Sequence, residues 1–343
     1  MKKFLLLSLL ALPVLAQDQW TTTTRYAVFA TYATETGPPN VENKFFSTNW
    51  FEAGTRHTIG ERGLVIFRGR ASLEPFTIPR EGTPQLLQWV SPQSGGPLVD
   101  RMRAHRLIDE AAADVQFRIV GAASARLYLA PVGNPPLGPV PYAQRASSID
   151  FAEAPFAYDV QEGFHEATRV ATIGVTSPTF GLEGGVFHRA ISTGRHTSVG
   201  DGKIDSWSAR ATVTPSANWS LPVSHGKLGD EDTKITSAST TFTVGRGAAS
   251  VLWTKRDSES AIGAEGIFNV ARSAFLARVE AVDRPPGFPA GDRRTTHVTV
   301  GYLFNFPRGI ALGVNGDYHT QTRELKTQYG HKPQSVYVYL RFR

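Results

Sequence analysis

The chain has 343 residues, 41% of them hydrophobic and 19% charged, with 32 glycines, 22 prolines, no cysteine and a formal net charge of +6. Its length allows one large domain or two medium ones. The absence of cysteine excludes a disulfide scaffold, a thiolate metal centre, a cysteine nucleophile and a lipid-modified N-terminal cysteine. Beyond residue 16 no apolar run approaches the roughly 18 to 20 residues of a membrane-crossing helix, which excludes a helical membrane bundle.

Lys2 and Lys3 precede an apolar stretch from Phe4 to Leu15, and Val14 and Ala16 put small residues before a polar start at Gln17. This pattern predicts a secretory signal peptide over 1–16 and an exported chain over 17–343. The exported part keeps 34 basic and 30 acidic side chains. It has no lysine-rich run and no nucleic-acid motif, so nucleic acid is set aside as a partner.

From there the dominant signal is alternation with period two. Phe67, Gly69, Ala71 and Leu73 alternate with Arg68, Arg70, Ser72 and Glu74; Val115, Phe117 and Ile119 with Asp114, Gln116 and Arg118. Phe275, Ala277 and Val279 alternate with Leu276, Arg278 and Glu280, and the last segment sets Val336, Val338, Leu340 and Phe342 against Tyr337, Tyr339 and Arg341. In chain order the predicted strands are 25–35, 45–57, 62–74, 110–120, 124–131, 166–176, 180–190, 203–214, 218–227, 233–244, 248–257, 262–271, 274–283, 294–305, 309–320 and 334–343, sixteen in all. Short connections near Gly60, Gly121, Ser177, Pro215, Gly245, Arg272 and Pro307 alternate with longer ones, among them 75–109 and 132–165; only those near 228–232 and 258–261 break the trend. An even number of strands of about ten residues, with connections alternating in length, predicts an all-β fold. It is a single antiparallel transmembrane β-barrel of about 16 strands, with short periplasmic turns and long external loops. Closure also removes exposed strand edges. The two long loops carry many prolines and several aromatics (Phe76, Trp89, Phe151, Phe156, Tyr158), so they are expected to be ordered and folded over or into the barrel, with a short helix over Ile149–Phe156. Trp50, Phe51, Trp207, Trp219, Trp253, Tyr302 and Tyr337 are candidates for the aromatic girdles.

Several stretches carry a resemblance. They are RGRASLEPFTIPREGTPQLLQ at 68–88, PLVDR at 97–101, PPLGPVPYAQRASSIDFAEAP at 135–155, IDSWSARATVTPSANWSLPVSHG at 204–226, RVEAVDR at 278–284 and YGHKPQSVYVYLRFR at 329–343. In this order they resemble a family of uncharacterised porin-like outer-membrane β-barrel proteins. The resemblance implies a bacterial outer-membrane barrel without an assigned substrate. Many members carry Gln-His-Pro-His-Asp after the Asp-Arg pair; here Asp100-Arg101 is followed by Met102-Arg103-Ala104-His105-Arg106, and only His105 stands at a matching position. The final strand also resembles the signal by which the barrel-assembly machinery recognises its clients, with Phe342 penultimate rather than last.

Charge cannot face lipid cheaply, at roughly 2–4 kcal/mol for a midplane arginine. The polar partners of the apolar rows therefore face the lumen: Arg68, Arg70, Glu74, Arg118, Arg126, Arg210, Glu265, Arg278, Glu280 and Arg341. Such a basic interior favours anions, or else it is a structural network, with Arg70/Glu74 and Arg278/Glu280 as pairs. No nucleophile or zinc-protease motif occurs, and Asp150 with His165 or Asp317 with His319 are only isolated acid–histidine pairs. No enzyme activity and no cofactor are expected. Eight of the nine histidines fall toward the external rim, with His105, His188 and His196 as weak metal candidates. Two functions are carried forward. One is an outer-membrane porin-like channel for passive or weakly selective diffusion of small polar or anionic solutes. The other is a non-conducting barrel with a plugged lumen whose external loops bind a ligand, metal ion or partner. Membrane lipid, small solutes and, by fold analogy, a homotrimer complete the expected partners.

Overall fold

The structure is a computed structural model that describes residues 20–36, 43–78, 83–86, 99–102, 106–163, 165, 167–189, 202–229, 232–283, 294–320 and 334–343. Its strands are β1 (Thr21–Thr36), β2 (Lys44–Ile59), β3 (Gly63–Ala71), β4 (Thr83–Leu86), β5 (Val99–Met102), β6 (Ile108–Val120), β7 (Ala123–Gly133), β8 (Ala167–Thr176), β9 (Phe180–His188) and β10 (Ser206–Ser216). They continue as β11 (Trp219–Leu228), β12 (Thr233–Val244), β13 (Gly247–Arg256), β14 (Glu259–Val270), β15 (Ser273–Asp283), β16 (Arg294–Asn305), β17 (Ile310–His319) and β18 (Gln334–Phe342). All except β4 and β5 form one closed barrel in which each strand pairs with its neighbours in sequence and β1 closes on β18, Val28 opposite Phe342. β4 and β5 pair only with each other, as a small ribbon within the loop 75–109 that the sequence did not announce.

The alternation decides which face each residue takes. Val115, Phe117 and Ile119 on β6, Phe275 and Val279 on β15 and Val336, Val338 and Leu340 on β18 are exposed, while Asp114, Leu276, Arg278, Glu280, Tyr337, Tyr339 and Arg341 are buried. The barrel is therefore apolar outside and packed inside, the inverse of a soluble domain. Its apolar exterior is the surface a bilayer covers. Among the girdle candidates Phe51, Trp207, Trp219, Trp253 and Tyr302 face outward, but Trp50 and Tyr337 are buried on the inner face. Each follows its register: Trp50 shares the inward row of β2 with Phe46 and Thr48, and Tyr337 that of β18 with Tyr339.

Tight turns join the strands at the end that holds both termini. Gly121 and Gly245 open two of them at positive φ, +55° and +52°, a conformation glycine adopts without a Cβ penalty. The β14–β15 turn uses Ala271 in the same place, at +52°.

Two local expectations are corrected. β3 ends at Ala71 rather than at 74, and a short helix α1 (Glu74–Thr77) follows, with Pro75 in its first turn. The proline lacks the N–H a ladder needs and fits the start of a helix. No helix forms over 149–156. The chain there runs in bends whose carbonyls bond to the wall, Ala152 O accepting from Thr48 (2.9 Å) and Asp150 O from Tyr339 (3.1 Å). The helix α2 lies beyond it, at Tyr158–Gln161.

Candidate functional site

The loop between β7 and β8 enters the lumen. Leu137, Phe151, Ala152, Glu153, Ala154, Phe156 and Glu162 are all nearly inaccessible, which no surface loop would be. Phe151 packs among Phe29, Phe46, Trp50, Leu276, Leu303, Tyr337 and Tyr339 of the inner wall. Leu137 packs in a second group with Tyr128, Val170, Phe187, Leu228 and Ile235.

Polar contacts fix the same loop along the height of the barrel. Near the termini, Asp150 pairs with Arg341 and, at 2.8 Å, with Arg343. At mid-height Arg145 bridges Glu265 of β14 (2.6 Å) and Glu162 of its own loop (2.8 Å), and Ser147 donates to Glu265 (2.8 Å). Arg278 of β15 pairs with Glu265 at 3.1 Å and lies 4.0 Å from the Phe151 ring centre. Higher up, Asn315 donates to both carboxylate oxygens of Glu153 (3.0 and 2.9 Å), and Glu280 accepts the backbone N–H of Phe156 (2.8 Å) and Ala157 (2.9 Å). At the long-loop end Arg256 holds Asp159 at 2.8 Å. Burial works against the charge of Arg145, but Glu265 and Glu162 more than offset it and raise its pKa. Burial pushes the Glu153 carboxyl up to about 7, helped by Asp317 and opposed by Arg278.

The opposite wall is built differently. Arg126 of β7 chelates Asp114 of β6 through Nε (3.0 Å) and Nη2 (2.7 Å) and also pairs with Glu183 of β9. Arg210 of β10 binds the same Glu183 through Nε (3.0 Å) and Nη2 (2.7 Å). Arg126 lies opposite Gly174 of β8, which lies opposite Glu183. A Cβ at Gly174 would stand 2.9 Å from the Glu183 Cγ, so the glycine leaves the passage by which Arg126 reaches over a strand. Arg68 of β3 lies 3.4 Å from Glu110 and 3.7 Å from Asp114. Arg68 and Arg126 both lie against the Tyr128 ring, at 5.6 and 5.5 Å. These groups line a cavity of 220 Å³ whose other side is the proline-rich start of the loop, Asn134 to Pro141. The arginine side chains are 35%, 16% and 24% exposed for Arg68, Arg126 and Arg210, whereas Glu110, Asp114 and Glu183 are 5%, 3% and 6% exposed. Glu110 and Glu183 also line the cavity, but they are nearly inaccessible and hold the arginines, so the arginines present most of the charged surface there.

The ten predicted lumen residues therefore divide. Arg68, Arg126 and Arg210 line the cavity, and Arg118 is exposed on the same inward row of β6 near the termini. Glu265, Arg278, Glu280 and Arg341 are spent on the loop. The pairs Arg70/Glu74 and Arg278/Glu280 do not form as ion pairs. Arg70 lies 3.5 Å from Asp109 and donates to the Gln144 side-chain oxygen, while Glu74, on α1, accepts the Asn49 N–H at 3.1 Å. Asp150 pairs with arginines rather than with His165, and Asp317 meets His297 (3.3 Å), on which His319 stacks at 4.5 Å. Of the weak metal candidates, His105 and His196 lie outside the described residues. His188 bonds Asp205 at 2.7 Å, and no metal-binding group of three side chains occurs among the described residues. Sequence reasoning missed the loop's own anchors, Arg145, Asp150, Glu153 and Glu162; they stand singly in an apolar, proline-rich loop, and no local signal marks them.

The closed antiparallel barrel of sixteen strands is similar in fold to solved outer-membrane porins. The anion-selective porin of Comamonas acidovorans matches with a TM-score of 0.58 at 13% identity, over 94% of this chain and 99% of that one. OmpF of Salmonella typhi, solved with daunomycin, matches with 0.58 at 8% identity, over 95% and 97%. A loop-deletion form of OmpT, an outer membrane protein of Vibrio cholerae, matches with 0.55 at 11% identity, over 94% and 99%. No family model and no curated protein matches the chain. At these identities the likeness is one of fold.

Proposed function

We propose that the protein is a porin-type channel of a bacterial outer membrane that passes small anionic or polar solutes through the gap between its inserted loop and the wall formed by β3 and β6–β10. The observation that carries this reading is the exposure of the Arg68, Arg126 and Arg210 guanidiniums in front of their buried carboxylates. Guanidinium forks bind carboxylate and phosphate bidentately. A barrel of sixteen strands is wide enough for water once a loop has taken part of its section. The passage is diffusive and calls for no catalytic group. The reading includes export by the signal peptide 1–16 and insertion through the C-terminal strand. It also includes a homotrimer, the form in which the OmpT of Vibrio cholerae was solved.

Single-channel recording in a planar bilayer under a salt gradient tests it. Stepwise openings with an anion-leaning reversal potential are expected. A second reading rests on a specific observation as well: the loop is held from Arg343 near the termini to Arg256 at the opposite end. A folded barrel that never conducts would establish a plugged lumen and move attention to the outer surface as a binding face.

A further inference from the structure

We propose that the inserted loop is a proton-linked latch: Glu153, buried against Asn315 of β17, takes up one proton when the segment 150–157 docks and releases it when the segment lifts.

The geometry around Glu153 sets this up. Asn315 and Asp317 are two residues apart on the inward row of β17, both buried. Asn315 binds Glu153, and its own Oδ1 accepts from the Tyr339 hydroxyl of β18 (3.3 Å). On β15, Glu280 faces the loop backbone and Arg278 donates to the Glu153 carbonyl oxygen at 3.4 Å, with its Nε committed to Glu265. On β16, His297 lies 3.4 Å from Glu280 and 3.3 Å from Asp317, and His319 of β17 stacks on it. On the loop, Asp150 is taken by Arg341 and Arg343. Three carboxylates, Glu153, Asp317 and Glu280, thus share one arginine that is already paired and one imidazole. The Oδ1 of Asp317 is buried and accepts no hydrogen bond. Protonating the buried Glu153 carboxyl, which is bonded by the neutral Asn315 amide, removes charge from this crowded group.

The sign follows from linkage. Docking raises the Glu153 carboxyl from its ordinary 4.5 to about 7. Between those values the docked loop binds a proton that the free loop lacks, so docking is strongest in acid, weakens as pH rises through this window, and is flat above it. The full effect is up to roughly 300-fold in the docking constant, with a slope of at most about tenfold per pH unit. Phe156, 5.1 Å from His297, lifts with the same segment.

The latch is a property of the loop alone; that it gates solute flow rests on the channel reading. The test is hydrogen–deuterium exchange of the refolded barrel in micelles from pH 4 to 8, corrected for intrinsic rates, with conductance recorded in parallel. Exchange across 150–157 is expected to rise with pH through the window. Glu153→Gln should hold the segment protected and flatten the rise. Asp317→Asn, an independent variant, should raise protection at neutral pH and shrink the total change. A wild-type profile without slope overturns the latch. So does a slope unchanged in Glu153→Gln, which would assign the proton to another group, such as Glu162 or Asp150, which are also buried on the loop. Protection that follows pH in a barrel that never conducts keeps the latch and removes the channel; conduction without pH-dependent protection does the reverse.

Discussion

The two sides of the lumen use the same residue types to opposite ends. On β13–β18 the charges are buried and turned to the loop: Glu265 holds Arg145, Glu280 holds backbone N–H groups, and Arg341 holds Asp150. On β3 and β6–β10, Arg68, Arg126 and Arg210 are held by carboxylates of the wall itself and keep part of the side chain toward the cavity. The difference lies in where the partner comes from. A partner on the loop makes a strap. Arg68, Arg126 and Arg210, whose partners lie on the wall and which no loop group among the described residues covers, keep part of the side chain toward the cavity. Arg278, also paired across strands, is instead covered by Phe151. Composition is therefore a poor guide to selectivity in such a lumen, because wall arginines such as Arg341 and Arg256 are neutralised by an element that arrives from elsewhere in the chain.

The largest effect that would break this contrast is expected at the strap. Glu265→Ala leaves the buried guanidiniums of Arg145 and Arg278 without their shared carboxylate. Loss of one partner of a buried pair costs about 3–5 kcal/mol. The loop should detach, seen as increased single-channel conductance and a lower unfolding temperature in heat-modifiability gels. An unchanged conductance would mean that the loop stays seated by its apolar contacts around Phe151. Asp150→Asn is the next largest. It weakens the grip of Arg341 and Arg343 at one end only, so a cost on the order of 1–3 kcal/mol is expected, with conductance noise rather than a new open level.

On the cavity side the expectation reverses. Arg68 is one-third exposed and its ion-pair distances are long, so Arg68→Ala should change stability by less than about 1 kcal/mol. It should nevertheless shift the reversal potential toward cations, because it removes an exposed donor from the cavity. A shift as large in Arg278→Ala, with the loop still seated, would erase the distinction between the two sides.

The barrel was legible in the sequence because period-two alternation is a local property: Val336 to Phe342 reads the same in one dimension as on the wall. So was the inward direction of Arg126, Arg210 and Arg278. The pairings were not. Along one strand Arg278 and Glu280 look like partners, yet residues directly opposite on adjacent strands lie closer, and Arg278 stands opposite Glu265. That register depends on the length of the single β14–β15 turn, which closes at Val270 and Ser273. The loop's route is further still from the sequence, since Asp150 meets residues near 341 and Glu153 meets residue 315. Nothing local distinguishes a proline-rich loop that enters the barrel from one that lies over it.

The smallest expected effect is a control on the strap side. Ala271 takes positive φ in the β14–β15 turn, where Gly121 and Gly245 occupy the matching place in other turns. The left-handed conformation costs a residue with a Cβ roughly 1 kcal/mol, so Ala271→Gly should stabilise the β14–β15 hairpin by about that amount, less the entropy glycine adds to the unfolded chain. This hairpin carries Glu265, Arg278 and Glu280, and the turn closes it at Val270 and Ser273. A higher unfolding temperature with unaltered conductance and selectivity is the outcome that keeps wall stability separate from loop seating. Were conductance to fall in step with the gain in stability, the strap would have to be understood as a property of the whole wall rather than of its named pairs.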